Sequence, residues 1–490
     1  MKPHATGPFA GISRFEKILI ALIPIVVVVF GGLTLQRAAY LKRPQTDIGV
    51  YLRAAWAVTA GEDISRATDD NGWSYTYPQL LAILAAPLAD APLDPVTKQP
   101  DPRGWHLMPY EASVVLWYAL SIVTVIYTAK WLGQAVRLSS GDPRVHRMEP
   151  GVRRWWEDML WPSLLCIVAI GSTLVRGQTN TLLAMCVAGM TLWTLRGRSF
   201  GAGVWIALAA CVKVFPAFLG FYALLRRDWK MVAGAVVGTI VMLVVIPTVT
   251  IGPRKMWDNN INYLNLIVFE NAREYTGANS AGETDRRKIA ELQSTRDNQS
   301  LQAVFHGTLH LREVLEADGL RPGRAAKVFH AVVGLAMIVL ASMAWWRMSR
   351  AKDATDPAVR RFAGYEAILS IGLLASLMLA ISPMCHLHYF VIAMPLVAAL
   401  LAIWKDRAPT GRLSVAGWVF FGVYFVLNLV PRFGDGGVEA LRVTRYLGFA
   451  AYANLMLFGA GVWTAFAITR PTPHTPGRAP IPNEPRASSG

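Results

Sequence analysis

Apolar runs of bilayer length recur almost to the end of this chain, and nothing else in it constrains the fold as strongly. Twelve segments read as spans: roughly 18–36, 76–91, 109–130, 158–176, 180–196, 201–225, 231–252, 325–346, 362–381, 384–404, 411–431 and 446–469. A helix rises about 1.5 Å per residue, so about 20 apolar residues cross a hydrocarbon core of about 30 Å. Lipid offers the backbone no hydrogen-bond partner, and helices satisfy every peptide group internally. The predicted fold class is therefore an all-α polytopic membrane protein of about twelve transmembrane helices. Only 16% of the 490 residues are charged, against about a quarter in a soluble domain. A soluble enzyme, a secreted disulfide scaffold and a disordered chain are all excluded. The weakest span is 76–91, whose uninterrupted run Leu80–Ala89 covers only about 15 Å.

Charge orients the segments. Lys2, Arg14 and Lys17 precede Ile18–Leu35, which reads as a retained first helix because the run is long for a signal sequence. Residues 37–75 carry five basic and five acidic side chains, and 253–300 carry seven of each. Such balanced loops are expected outside. Arg347, Arg350, Lys352, Arg360 and Arg361 form a basic loop, and Lys405, Arg407 and Arg412 another; both are expected in the cytoplasm with the two termini. One loop, 131–157, violates this count, because Arg137, Arg144, Arg147, Arg153 and Arg154 fall outside. The net charge of +16 reads as this bias plus lipid-phosphate contacts, not as a nucleic-acid surface. The organisation is 1–252, an N-terminal membrane module whose first loop is 37–75; 253–324, a second external loop; 325–470, the C-terminal helices; and 471–490, a Pro-rich disordered tail. Cys166, Cys186, Cys211 and Cys385 lie in or beside apolar runs and form no CxxC pair, so they read as packing residues.

The chemistry concentrates in a few places. Asp47 lies about a dozen residues past the first helix, near the membrane surface, followed by Tyr51 and the aromatic stretch Tyr75-Thr76-Tyr77-Pro78. A carboxylate there can face a reaction on a lipid head group; it is also placed to cap a helix starting near Ile48. Lys213 sits mid-segment, where a buried cation points to function; its alternatives are snorkelling or a structural ion pair beside Pro216. Gln178 and Asn180, which the twelve-span count places on the cytoplasmic side, read as contacts between helices. His386 and His388 lie in the turn after Ser382-Pro383, on the outer face with Asp47. No third ligand accompanies them for zinc, and no carboxylate cluster would hold another metal.

Four ordered motifs carry a family likeness: Asp47 to Tyr51 with Tyr77-Pro78; Arg176-Gly177-Gln178-Thr179-Asn180; Arg196-Gly197-Arg198 with Lys213-Val214-Phe215-Pro216 and Arg226-Arg227-Asp228-Trp229; and Asn298-Gln299-Ser300-Leu301 with Ser382-Pro383 and His388. Over about residues 40 to 400 the chain resembles glycosyltransferase family 87 of the GT-C superfamily. Known members of that family are polyprenyl-phosphate-mannose-dependent mannosyltransferases of the phosphatidylinositol-mannoside type. It departs from the family pattern at Gln79, where a second proline is usual, and at His386-Leu387-His388, where a His-His pair is usual.

The resemblance implies a GT-C fold with two large extracytoplasmic loops. It implies transfer of a hexose, mannose by family precedent, from a polyprenyl-phosphate-linked donor to a glycolipid or glycan acceptor, with inversion. No cofactor is needed beyond that donor, and the partners are these substrates and membrane lipids. Asp47 is then the catalytic base, and His388 a second catalytic group. Lys213 and one of Arg43 or Arg53 stand on the phosphate side. Tyr51, Tyr77 and His386 are substrate-binding, and Asn298 and Gln299 belong to a loop element over the site. The competing reading is a transporter or flippase of lipid-linked intermediates, which should show repeats and polar groups at the membrane midplane.

Overall fold

The computed structural model describes residues 13–94, 96–97, 99–105, 107–141, 153–265, 298–317, 322–435, 441 and 443–470. Arg144 and Arg147, most of the second loop and the tail 471–490 lie outside the described residues.

The described chain is all-helical. The main helices are α1 (Arg14–Leu35), α2 (Ile48–Ala60), α3 (Gln79–Leu84), α4 (Tyr110–Ser140), α5 (Arg153–Leu165), α6 (Ile167–Val175), α7 (Asn180–Leu195), α8 (Ser199–Val212), α9 (Gly220–Leu225) and α10 (Trp229–Ile240). They continue with α11 (Ile246–Ile251), α12 (Pro253–Tyr263), α13 (Leu301–Leu309), α14 (Arg324–Arg350), α15 (Glu366–Ile381), α16 (Met394–Arg407), α17 (Val415–Asp435) and α18 (Phe449–Ile468). α1 starts on a capping box, in which Glu16 N–H donates to Ser13 Oγ and Ser13 N–H to Glu16 Oε2.

Eight described helical segments are long and apolar enough to cross a membrane, and nine if the bent pair α5–α6 counts as one. The shorter apolar helices α7, α8 and Phe215–Leu225 pack with them. Burial separates centre from periphery. The apolar window of Arg14–Tyr40 is 6% buried, whereas those of Val359–Ile381 and Leu387–Arg407 are 89% and 83% buried. The first presents its side chains to lipid; the other two form the middle of the bundle.

Two expected spans are corrected. Segment 76–91 forms the six-residue α3 and a 3-10 turn at Ala86–Leu88, packed under α2. Six residues rise about 9 Å, and Pro87 ends the run. Segment 201–225 is two helices, because α8 stops at Lys213, whose backbone is extended at φ −142°, ψ 137°. Segment 158–176 also bends, by 65° between α5 and α6, four residues after Pro162.

These breaks change which residues meet. α5–α6 starts beside Glu157 and ends at Arg176, and Lys405 Nζ at the end of α16 binds Glu157 at 2.7 Å. Arg137 at the end of α4 faces Asp158 at 3.6 Å, and Arg226 and Lys352 reach Glu366 at 3.2 and 3.6 Å. These pairs share one end of the bundle. Asp47, Arg176, Lys213 and His388 gather at the other. The basic loop 131–157 thus begins and ends opposite Asp47, against the sequence count. Dropping one early span removes the charge violation.

Candidate active site

Asp47 stands at the N-terminus of α2 but does not cap it. Its backbone is at φ −82°, ψ 0°, and its side chain makes no cap hydrogen bond. Its own N–H donates to the carbonyl of Arg176 at 3.1 Å, so the first loop is pinned to the turn after α6. That turn needs Gly177: its φ is +65°, and a Cβ there would stand 2.1 Å from Ile48 Cγ1. Trp117 Nε1 donates to the Gly177 carbonyl at 2.9 Å. The Asp47 carboxylate is half-buried and has no ion-pair partner within 4 Å among the described residues. Burial lifts its pKa to about 6, against the pull of Arg176 and Lys213.

Lys213 is buried, which removes the snorkelling alternative. Its Nζ donates to Gln178 Oε1 and Asn180 Oδ1, both at 3.1 Å. It lies 4.3 Å from the ring centroid of Tyr389 and 5.2 Å from that of Tyr77. The ammonium is therefore held by neutral dipoles and π faces. Tyr51 completes the cluster: its hydroxyl bonds Tyr77 Oη at 2.9 Å and Gln178 Oε1 at 3.3 Å, and its ring stacks on Trp117. Gln178 and Asn180 thus belong to the same polar centre as Asp47, and the expectation that they lie on the other face is overturned. The cause is again the missing span at 76–91, which shifts the following turns by one side until the break at Lys213 in segment 201–225 restores the count.

His386 and His388 stack at 5.3 Å between centroids. The His388 carbonyl accepts from Thr173 Oγ1 at 2.9 Å, and its Nε2 is buried with no hydrogen-bond partner among the described residues. Asn298 and Gln299 lock this turn. Asn298 Oδ1 accepts from Cys385 N–H at 3.0 Å, its Nδ2 donates to the Pro383 carbonyl at 3.1 Å, and Gln299 Nε2 donates to the Arg445 carbonyl at 2.8 Å. Asn298 is buried, and its amide is engaged in holding the turn.

Beside the histidines lies a pocket of about 340 Å³, with Arg176, Arg432, Arg445, His386, His388 and Gln299 in its wall. Arg432, at the end of α17, reaches Ser172 Oγ on α6. Arg432 and Arg445 escaped the sequence reading. A guanidinium closing an apolar run after Pro431 was the available signal. The arginines proposed from sequence lie elsewhere. Arg53 is tied to Asp70 at 2.9 Å and Asp90 at 3.2 Å, and Arg43 is exposed. A second loop carboxylate, Asp69, is used to fix a turn, accepting from Asn71 and Trp73 N–H at 2.9 and 2.8 Å. No group of three metal-ligating side chains occurs among the described residues.

A family model described as Glycosyltransferase family 87 matches residues 75–383. The chain belongs to that family. As a member of glycosyltransferase family 87 it is an enzyme, and the transporter or flippase alternative falls. Its curated relatives include a polyprenol-phosphate-mannose-dependent alpha-(1-2)-phosphatidylinositol pentamannoside mannosyltransferase of Mycolicibacterium smegmatis, 26% identical over 82% of this chain and 78% of that protein. A polyprenol-phosphate-mannose-dependent alpha-(1-2)-phosphatidylinositol mannoside mannosyltransferase of Mycobacterium tuberculosis is 24% identical over 83% of this chain and 81% of its own length. The crystal structure of ArnT from Cupriavidus metallidurans bound to undecaprenyl phosphate aligns over 93% of this chain and 78% of its own at 14% identity. Its TM-score is 0.38, too loose a superposition to carry an argument. The family match ends at residue 383, so His386, His388, Arg432 and Arg445 lie beyond it.

Proposed function

We propose that this glycosyltransferase moves a hexose, with mannose the first choice, from a polyprenyl-phosphate donor to a lipid or glycan acceptor, with inversion, on the extracytoplasmic face of the cytoplasmic membrane. The observation that carries the reading is the Asp47 carboxylate, which neither caps its helix nor pairs with a cation. A base must reach the acceptor proton and hold it near working pH. A carboxylate lifted to about 6 is a stronger base than an ordinary one and is still mostly ionised at neutrality.

In the reaction the acceptor hydroxyl oxygen attacks the anomeric carbon and the bond from that carbon to the phosphate oxygen breaks. The bonding pair leaves with the phosphate, and the hydroxyl proton passes to Asp47. The charge left on the phosphate needs fixed cations or N–H donors. The pocket walled by Arg176, Arg432, Arg445, His386 and His388 offers them, and Lys213 lies over Tyr389, whose ring adjoins His388 at 4.9 Å between centroids. These residues replace Arg43 and Arg53 in that role. The end of the bundle away from Asp47 carries Arg196, Arg226, Arg350, Arg361 and Lys405, which supports its placement in the cytoplasm. The printed names of the relatives favour mannose as the sugar.

The test is transfer by protein in nanodiscs from labelled mannosyl-phospho-polyprenol to glycolipid extract, comparing wild type with Asp47→Asn. A labelled product with wild type and none with the variant is expected. Equal product from both removes Asp47 from the mechanism. No product from wild type removes mannose as the sugar.

A further inference from the structure

We propose that a second pocket, which shares Tyr77 with the Lys213 cluster, is the subsite for a neutral sugar of the acceptor, with Gln79 accepting a hydrogen bond from one of its hydroxyls. The inference rests on the transferase reading above. The pocket is an open cleft, about 320 Å³ with the solvent at its mouth included, walled by Tyr75, Tyr77, Gln79, Asn259, Asn262 and Tyr263. No charged side chain lines it among the described residues. The contrast with the arginine-walled pocket is complete: one suits an anion and the other does not. Amides and tyrosine faces without charge are the chemistry that holds a saccharide, since hydroxyls need donors and acceptors and the C–H face needs aromatic surface.

Gln79 makes this a built site. It is 3% exposed. Its Nε2 donates to the carbonyls of Leu243 at 3.2 Å and Met256 at 3.4 Å. Turning the amide over would set its oxygen against two carbonyl oxygens, so these partners fix which end is which. The Oε1 atom is left buried without a partner among the described residues, and Gln79 is one of the residues of the pocket wall. A buried acceptor of this kind calls for a donor, and a sugar hydroxyl entering the pocket supplies one. The pocket also adjoins the reacting centre. Tyr77 lines it while its hydroxyl bonds Tyr51 Oη at 2.9 Å in the cluster around Asp47. Tyr75 is held by its own bonds, donating to the Pro78 carbonyl at 2.8 Å and accepting from Ala82 N–H at 3.1 Å, so its ring is a fixed wall.

The experiment uses the full chain in nanodiscs with n-octyl α-D-mannopyranoside as acceptor probe. Gln79→Met keeps the length of the side chain and removes the acceptor; Asn259→Leu is the second variant. Each is expected to raise the KM for the octyl mannoside about tenfold, the value of one hydrogen bond, with donor KM and kcat within about twofold of wild type. An unchanged acceptor KM in both variants, or a rise in donor KM instead, overturns the subsite. A second readout needs no turnover. The four native cysteines are buried, so Asn262→Cys places one exposed thiol at the pocket. Octyl mannoside is expected to slow its maleimide labelling, and octyl sulfonate is not. Adding Gln79→Met should raise the protecting concentration about tenfold. Protection without transfer defeats the mannose-transfer reading and keeps the subsite; absence of protection defeats the subsite whatever the transfer result.

Discussion

The two ends of the helix bundle both bury charge, but they use it differently. At the end away from Asp47 three carboxylates each meet a cation: Glu366 with Arg226 at 3.2 Å, Glu157 with Lys405 at 2.7 Å, Asp158 with Arg137 at 3.6 Å. At the Asp47 end the carboxylate has no such partner, Lys213 rests on two amide oxygens, and three arginines with two histidines wall one pocket. Removing one member of a buried pair strands the other, so paired charge answers mutation with lost stability. Asp47 and Lys213, which bind no opposite charge among the described residues, already carry their desolvation cost in the folded state and are available to a substrate. The difference separates scaffold from site without any bound ligand.

Mutations should divide along the same line. Asp47→Asn should lower kcat by about 10²- to 10⁴-fold, the range for a general base, while leaving the thermal unfolding midpoint in nanodiscs within a degree or two. A large loss of stability would mean that Asp47 is structural after all. Lys213→Met should come next, with kcat reduced on the order of 10²-fold, as for one fixed charge-stabilising donor; a change confined to acceptor KM would break that assignment. Glu366→Gln is the mirror experiment. It should destabilise by about 2 kcal/mol, read from thermal unfolding, with the kcat of the surviving folded protein near wild type. The figure is kept low because Lys352 is half exposed and Arg226 nearly a third exposed.

A pH profile sharpens the comparison further. Asp47 works ionised, and its pKa is raised by burial to about 6. Protonation on the acid side of that value removes the base, so kcat/KM should fall as pH drops through about 6 and level off above it. Arg176 and Lys213 both hold that pKa down. Arg176→Gln should therefore move the acid limb to higher pH, by about one unit, whereas Glu366→Gln should leave it in place. The smallest effect is expected at Arg43. It is exposed and away from both pockets, so Arg43→Ala should change kcat/KM by less than about twofold in the same transfer assay.

Several of these residues were readable before any fold was known. Asp47, Lys213 and His388 stand out because each is an ionisable or polar group at an improbable depth or at a membrane-facing loop, and the structure gathers all three at one end. Arg53 stands in the same loop and reads the same way, yet its guanidinium is satisfied by Asp70 and Asp90. Only the folded loop brings those carboxylates to it. Gln178 and Asn180 were legible as polar residues at a helix start, but their side of the membrane was not, because one ten-residue apolar run was taken for a span. Its backbone can satisfy itself at that length only when neighbouring helices cover it, and hydropathy does not record the neighbours.

By itself, then, the sequence determined the solvent this chain folds in and the helical means of crossing it, and it pointed to the carboxylate around which we propose the chemistry is arranged. Apolar run length and backbone hydrogen bonding leave no other solution. Tertiary structure alone decided which apolar runs cross, which cations face the pocket and which are spent in pairs. It also decided that residues as far apart as Arg176, Gln299 and Arg432 wall one cavity. Those outcomes depend on distances between helices, and a linear pattern of residues carries no distance beyond its own helix or loop.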